Sequence, residues 1–513
     1  MNDPNDPPSR ADLERLAEIL ARLAADPSPL SAIDADLRQR LLTAAGQLTR
    51  PDTVSRRRLA RAFRKRDRDE VRRHDEDLLQ RTGMRALRQA PVYPTPLPLT
   101  PAAIPTLDEP GAADSSPAML LQEARKCYVC KQEYRQIHVF YDQLCPSCAE
   151  LNWTKRHQTA DLNGRTALVT GARVKIGYHA SILLLRAGAR VIATTRFPVD
   201  AAQRYAREPD FEQWCDRLVI HGLDLRHSPS VERLCRHLLA HENRLDFILN
   251  NACQTVRRPA GFYAHLIEGE MQAAALPRMT QGLLAAVATD APPDPSSKTI
   301  STTEVEIAAV PRGIESALAS QVALLREDLQ RGPEIFPHGE LDADLQQVDL
   351  RDRNSWRLSL AEVSAVELLE VHLVNAVAPF LLNARLKPLM LRYPSLDKHI
   401  VNVSAMEGQF YREFKTDKHP HTNMAKAALN MMTRTSAADY VRDGIHMNSV
   451  DTGWITDEDP AVLAERKRTE HRFSPPLDVV DGAARIVDPI FSGFLSGEHV
   501  WGLFLKDYKP TPW

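Results

Sequence analysis

Four cysteines stand in two tight pairs, Cys127-x-x-Cys130 and Cys145-x-x-Cys148, with fourteen residues between the pairs. Each pair can wrap two thiolates around one ion at about 2.3 Å, and two such knuckles complete a closed tetrahedral site that suits structural zinc. Two redox dithiols would want a thioredoxin-like setting that the flanking residues lack, and disulfides do not suit a reducing compartment. A four-thiolate ion has no open position, so it is expected to supply folding energy to a small ribbon with little apolar core rather than to catalyse. A second stretch that could do chemistry is TALVTGARVKIG, residues 166–177. An apolar strand runs there into a turn with Gly171 and Gly177, then into a helix expected to begin near Tyr178. Such a turn brings backbone N–H groups and the positive end of a helix against a pyrophosphate.

The elements that must hold these groups follow from the pattern on either side. From Asn163 onward, seven short β-rich runs alternate with longer helical ones: RTALVTG, RVIATTR, DRLVIHGLDL, DFILNNA, HIVNVSA, GIHMNSVDTG and HVWGLFLKD. This alternation predicts a Rossmann-like α/β fold, a doubly wound parallel sheet with helices on both faces. Residues 255–350 interrupt it. They include the proline-, serine- and threonine-rich ATDAPPDPSSKTISTTEVE, flanked by apolar helical stretches such as ESALASQVALLREDLQ, and are expected to be an insertion. Upstream, residues 10–26 and 34–48 have helical periodicity, and residues 55–79 form a helical run that is strongly basic in its first half. Eight prolines in residues 90–117 indicate an extended linker. The expected organisation is a helical extension over 1–90, a linker over 91–118, a zinc ribbon over 119–158 and the sheet domain over 159–513.

Composition narrows the function classes. The chain has 513 residues and a formal net charge of −2, so no global field steers it toward nucleic acid or membrane. The basic run could lie on a nucleic-acid backbone or an acidic protein, although such runs are more often solvated helix faces. No apolar run approaches the roughly 20 residues needed to cross a bilayer, and the N-terminus is acidic and proline-rich where a signal peptide would be basic and then apolar. A cytoplasmic location without membrane attachment is expected.

The motifs, taken in order, resemble the short-chain dehydrogenase/reductase family: the TGxxxGxG turn, an Asp-Leu after the third strand (Asp224), NNAC at 250–253, Asn375 in VNAVAPFLL, VNVSA, Lys426 and MNSVDTGWIT. The resemblance spans about residues 160–513. It implies a dinucleotide site drawn from Thr170, Gly171, Arg173, Lys175, Ile176, Gly177, Arg196, Asp224, Asn250, Ala252, Lys426 and Thr456. Lys175 replaces the family's middle glycine. Arg196 stands where NAD-specific members keep an acidic residue, and with Arg173 it can pair with a 2′-phosphate, which favours NADP.

The same resemblance implies a reaction centre that is only half kept. Asn375 and Lys426 match the family's asparagine and lysine. The strand ends Asn402, Val403, Ser404, Ala405, so Ala405 takes the place of the catalytic serine unless the register slips by one to Ser404. Thr422 replaces the tyrosine four residues before the lysine, and a threonine hydroxyl has no accessible pKa for proton transfer. Substitute donors in the long loop before the helix are, in order of preference, Tyr411, His421 and Glu407. The implied function is an NADP-dependent oxidoreductase acting on an unknown carbonyl or alcohol with a non-standard proton donor. The alternative is an NADP(H)-binding sensor or adaptor that engages a protein or nucleic-acid partner through the ribbon and basic helix. The apolar APFLLNARLKPLM makes a homo-oligomer plausible.

Overall fold

The computed structural model describes residues 8–90, 92–93, 95–96, 119–285, 315–410, 415–470 and 474–513. The chain divides into two compact units, Met1–Asp77 and Leu78–Trp513. This division lies upstream of the proline-rich segment, most of which is outside the described residues. The first unit contains helices α1 (Arg10–Ala25) and α2 (Ala35–Thr49) and most of α3 (Thr53–Gln80), in agreement with the periodicity. Ser9 and Asp12 close a reciprocal capping box at the start of α1, and Asp34 caps α2 by accepting from the Leu37 N–H.

The second unit begins with α4 (Gly83–Gln89), followed by the antiparallel pair β1 (Leu120–Lys126) and β2 (Glu133–Gln136) and then α5 (Pro146–Arg156). There follow β3 (Thr166–Thr170), α6 (Lys175–Arg186), β4 (Arg190–Thr195), α7 (Pro198–Tyr205), β5 (Leu218–Gly222), α8 (Ser228–His241) and β6 (Phe247–Asn250). The insertion contributes α9 (Ala260–Glu270) and the single turns α10 (Arg278–Gln281) and α11 (Glu315–Leu318). The apolar stretch from Glu315 is therefore not the long helix its composition suggests. It breaks into turns whose Ala317 joins Phe197, Phe262, Tyr263, Leu266 and Phe336 in a small separate core. The chain ends with α12 (Ala365–His372), α13 (Ala378–Met390), β7 (Lys398–Ser404), α14 (Pro420–Tyr440), β8 (Ile445–Asp451), α15 (Ala461–Glu470), α16 (Val479–Ser496), β9 (Phe504–Lys506) and β10 (Lys509–Thr511).

Each of the seven β-rich runs yields a strand of one eight-stranded sheet in the order β5-β4-β3-β6-β7-β8-β9-β10, parallel except for the terminal β9–β10 hairpin. Every residue of β3, β6, β7 and β8 is buried, as required of central strands covered on both faces. On one face Leu184 of α6 and Ile486 of α16 join the core, and on the other Leu234 of α8, Leu382 of α13 and Tyr440 of α14. Strand order reverses between β3 and β6, which opens a crevice at the carboxyl ends of the strands.

Residues Ala365–Met390 form one continuous helical rod, long and apolar enough to span a bilayer by length and composition, contrary to the reading of the sequence alone. Its Val374, Ala378, Leu382, Leu386 and Leu389 pack into the core against the sheet. The rod carries one π-helical stretch, Leu373–Val377, between α12 and α13.

The ribbon does not stand apart. Its Cys127, Tyr134, Phe140, Tyr141 and Leu144 share an apolar cluster with Ile455, Leu477, Val479 and Val480. At the centre lies Arg156 of α5, whose guanidinium donates to both oxygens of Asp478 at 2.7 and 2.9 Å and to Asp481 at 2.9 Å. Asp478 is also the N-cap of α16, accepting from the N–H groups of Val480 and Asp481. Tyr93 and Tyr141 donate their hydroxyls to the same two carboxylates. Burial opposes the charge on Asp478, but Arg156 outweighs it and holds the carboxyl well below its ordinary range. Asp481 is pushed up by burial and by Asp478 beside it. Arg156→Ala leaves these carboxylates without their cation and is expected to lower unfolding free energy by about 3–5 kcal/mol. Urea denaturation measures this, and a loss below about 1 kcal/mol would show that the cluster does not hold ribbon and sheet together.

Candidate functional site

The turn after β3 is built by absent side chains. Gly171 has φ +67°, and a Cβ on it would lie 2.9 Å from the Ala252 Cα; at Gly177 a Cβ would lie 2.3 Å from the Asn251 Nδ2 and 2.4 Å from the Gly171 carbonyl oxygen. The turn thus sits directly on the loop after β6. Asn251 Nδ2 donates to the carbonyls of Thr170 at 3.0 Å and Gly171 at 3.3 Å, and the Ala252 N–H donates to the Thr170 hydroxyl at 3.0 Å. Helix α6 begins at Lys175, before the expected Tyr178, and its N-cap Val174 supplies no side-chain cap. The first-turn amides are therefore not satisfied by a cap and face the crevice end of the strand, as an anion site requires.

Two side chains expected at the cofactor have close protein neighbours here. Ile176 packs against α16, so closely that a Cβ on Gly482 would lie 2.9 Å from its Cγ1. Lys175, in the place of the family's middle glycine, keeps the left-handed backbone of a glycine at φ +55°. Burial opposes its charge, but Glu458, Asp344 and Asp342 outweigh this and raise its pKa.

The basic residues are held by protein partners. Arg173 is buried and donates to Asp200 at 2.7 Å and to Gln346 at 3.3 Å. Arg196 follows β4, donates to the Tyr263 hydroxyl at 2.6 Å and stacks 4.4 Å from its ring centroid. Burial alone would raise the Tyr263 phenol, but Arg196, and more weakly Arg258 and Arg226, hold it below its ordinary value. Asp224 is buried and bonded to Arg226 at 2.6 Å, a partner the sequence did not reveal. A cavity of about 320 Å³ opens beside the turn, lined by Arg173, Lys175, Tyr178, Arg204 and Asp344 among others.

At the far end of the crevice, Lys426 is buried and its Nζ donates to the Val403 carbonyl at 2.7 Å, one residue before Ser404. The Ser404 hydroxyl is buried without a hydrogen-bond partner, and so are the Thr422 hydroxyl and both ring nitrogens of His421. His421 Nε2 lies 3.3 Å from Glu367 Oε1 without hydrogen-bond alignment. Thr422 and Lys426 lie one turn apart on one face of α14, whereas His421 is rotated from them by about 100°. Asn375, in the π-helical stretch, accepts from the Gln254 N–H at 2.8 Å and donates to its carbonyl at 3.2 Å. Asn250 Nδ2 donates to Asn383 at 2.9 Å and Asn402 at 2.8 Å, tying α13, β6 and β7 together. The Thr456 hydroxyl donates to Glu458 at 2.6 Å. Tyr411 lies outside the described residues, and Glu407 is half-buried in the single turn Met406–Gly408.

One carboxylate escaped the sequence reading. Asp451 ends β8 in register with Ser404, is buried, and accepts from the N–H groups of Met406 at 2.7 Å and Gly453 at 2.8 Å. Burial and then Glu407 raise its pKa against Lys506. Its signal was a lone acid in the otherwise small and apolar strand end NSVDTG.

In the ribbon, one sulfur from each of Cys127, Cys130, Cys145 and Cys148 lies within 4.8 Å of the others, with Cys130 and Cys145 at 3.6 Å. This clustering fits a four-thiolate metal site. Ribbon and crevice touch where the Trp454 N–H donates to the Tyr128 hydroxyl at 3.0 Å.

A dinucleotide-type α/β fold with a polar centre at its strand ends is thus defined by geometry. A family model described as short chain dehydrogenase matches residues 165–270, and one described as Enoyl-(Acyl carrier protein) reductase matches residues 340–474. The chain belongs to the short-chain dehydrogenase/reductase family. It is 30% identical over 386 residues to Uncharacterized protein R665 of Acanthamoeba polyphaga mimivirus, covering 72% of this chain and 71% of that protein. Retinol dehydrogenase 14 of Homo sapiens is 33% identical over 117 residues, 20% of this chain and 35% of that enzyme. Among solved structures, the Pseudomonas aeruginosa RhlG/NADP active-site complex superposes with a TM-score of 0.40 at 18% identity, covering 67% of this chain and 95% of that one.

The strained Lys175 gives a direct check on the turn. A left-handed non-glycine residue costs about 1–2 kcal/mol, so Lys175→Gly is expected to raise unfolding free energy by about 1 kcal/mol in urea denaturation. A loss of stability would mean that Glu458 and Asp344 hold the lysine more strongly than its backbone resists.

Proposed function

We propose that this protein is an NADP-dependent oxidoreductase acting on a small carbonyl or alcohol, with His421 as its proton donor. The observation that carries this reading is the set of buried, unpartnered polar atoms on Thr422, at the family's tyrosine position, and on Ser404 and His421, each one residue from a family reaction position. Buried polar groups are normally satisfied, and those left open at a crevice mark where a ligand completes them.

The glycine turn and uncapped first turn of α6 fit a pyrophosphate. Arg196, 4.4 Å from the Tyr263 ring centroid and bonded to its hydroxyl through one nitrogen, has further N–H groups for a 2′-phosphate. Lys426, held at the end of β7 by the Val403 carbonyl, and Thr456 would take the nicotinamide end. Bound NADPH supplies the hydride, and the chain's residues must then manage charge and a proton.

His421 can do so with two distinct nitrogens. Nε2 lies 3.3 Å from Glu367 Oε1, a carboxyl that burial would raise but that His421 and Ser355 hold below its ordinary range. Nδ1 is buried without a partner and is the atom that delivers the proton. The Ser404 hydroxyl, one residue before the position the family gives to its catalytic serine, would donate to the substrate oxygen. The structural zinc expected in the ribbon would fix Tyr128 and through it the loop after β8.

The test is NADPH oxidation against a panel of small aldehydes and ketones, with nucleotide affinity measured in parallel. His421→Asn is expected to lower kcat by about 100-fold while NADPH affinity stays within about threefold. Unchanged kcat and pH profile in that variant would remove His421 from the reaction. Absence of turnover with the whole panel, in protein that binds NADPH, would overturn the activity itself.

A further inference from the structure

The sheet carries a second constellation at the amino-terminal ends of its strands. His399 and His446 are register partners near the starts of β7 and β8, and His499 follows the end of α16. The three rings form a triangle with centroid separations of 5.3, 5.0 and 5.0 Å. One ring nitrogen from each lies within 4.8 Å of the other two. Ser404 and Asp451 lie five residues further along the same strands, about 16 Å away, so this group is no part of the reaction centre.

Several features distinguish it from three histidines packed as core. His399 is fully buried, and its Nδ1 has no hydrogen-bond partner. Its Nε2 lies 2.9 Å from His499 Nδ1. His446 directs Nδ1 to the Lys398 carbonyl at 3.2 Å, which fixes the proton there and leaves Nε2 with its lone pair, the arrangement of a histidine that ligates through its other nitrogen.

The surroundings make room for the third ring. A Cβ on Gly493 of α16 would lie 2.4 Å from His499 Nδ1, so this helix must lack a side chain for the ring to take its place. Phe494 packs edge-on against His499, and Phe247 lies beside His399. The return segment is pinned to β8, with Asn448 donating to the Val500 carbonyl at 2.8 Å. Arg165 is neutralised by both oxygens of Asp397 at 2.7 and 2.6 Å and by Asp246 at 3.3 Å, while Lys398 donates to the Ser395 carbonyl. His499 is half-buried, which gives an ion a path from solvent.

We propose that His399, His446 and His499 form a metal site for a divalent first-row transition ion of the zinc type, with water at the fourth position, stapling the segment after α16 to the two central strands. Three imidazoles with an open position suit Zn²⁺, Co²⁺, Ni²⁺ or Cu²⁺ and disfavour the oxygen-seeking Mg²⁺ and Ca²⁺.

Full-length protein stripped of metal would be titrated with Co²⁺, reading metal content per chain and the absorption spectrum. One equivalent is expected to show only weak visible bands without thiolate-to-cobalt charge transfer, and His499→Gln is expected to abolish it. Any cobalt with thiolate charge transfer belongs to the cysteine cluster and should survive in that variant, which also reports an intact fold. In wild-type protein loaded with Cu²⁺, electron paramagnetic resonance should resolve coupling to imidazole nitrogens. Equal cobalt uptake by both proteins, thiolate charge transfer from every bound cobalt, or no imidazole coupling would overturn the proposal.

Discussion

The guanidinium of Arg156 between Asp478 and Asp481 is the contact on which the remaining geometry rests. It links the last turn of the ribbon helix to the first turn of α16, and it does so at the cap that sets where α16 begins. From there α16 runs under Ile176, with Gly482 allowing an approach that any side chain would block. Ile176 stands in the first turn of α6, so the seat of the glycine turn is transmitted from the ribbon through one helix. A buried ion cluster of this kind tolerates little displacement, because each carboxylate needs its full set of donors to remain charged in the interior.

This linkage changes the meaning of the cysteine cluster. Thiolates around an ion would order the ribbon, the ribbon core is continuous with Ile455, Leu477 and Val479, and Tyr128 meets the loop that carries Thr456. Metal in the ribbon would therefore act on the crevice by holding its wall, even though a four-thiolate site has no position for substrate.

Much of the fold was legible because the information was local. Seven apolar runs with helices between them can form one sheet in few ways, and each run became a strand. The cysteine spacing and the glycines of the turn were equally direct. What escaped depends on contacts distant in sequence. Nothing near Arg173 announces Asp200 or Gln346, and nothing near Asp224 announces that Arg226 folds back onto it rather than outward. Ile176 reads as part of a motif but is spent on α16. The alanine- and leucine-rich stretch after Glu315 has helical composition, yet its tertiary setting breaks it into turns. His399, His446 and His499 are lone histidines in sequence, joined only by strand register and the return of the chain.

The proposed reaction centre combines both kinds of residue. Lys426 and Asn375 were readable from motif, whereas the approach of Glu367 to His421 and the register of Asp451 beside Ser404 appear only in three dimensions. The account stands or falls on whether a dinucleotide occupies the crevice beside them. The most direct measurement is titration of the full-length chain with NADPH and NADH, following nicotinamide fluorescence, with Arg196→Asp beside it. Saturable binding of one NADPH per chain, tighter than NADH by about tenfold or more and losing that preference in the variant, is the result predicted. Failure of either nucleotide to bind would contradict the account.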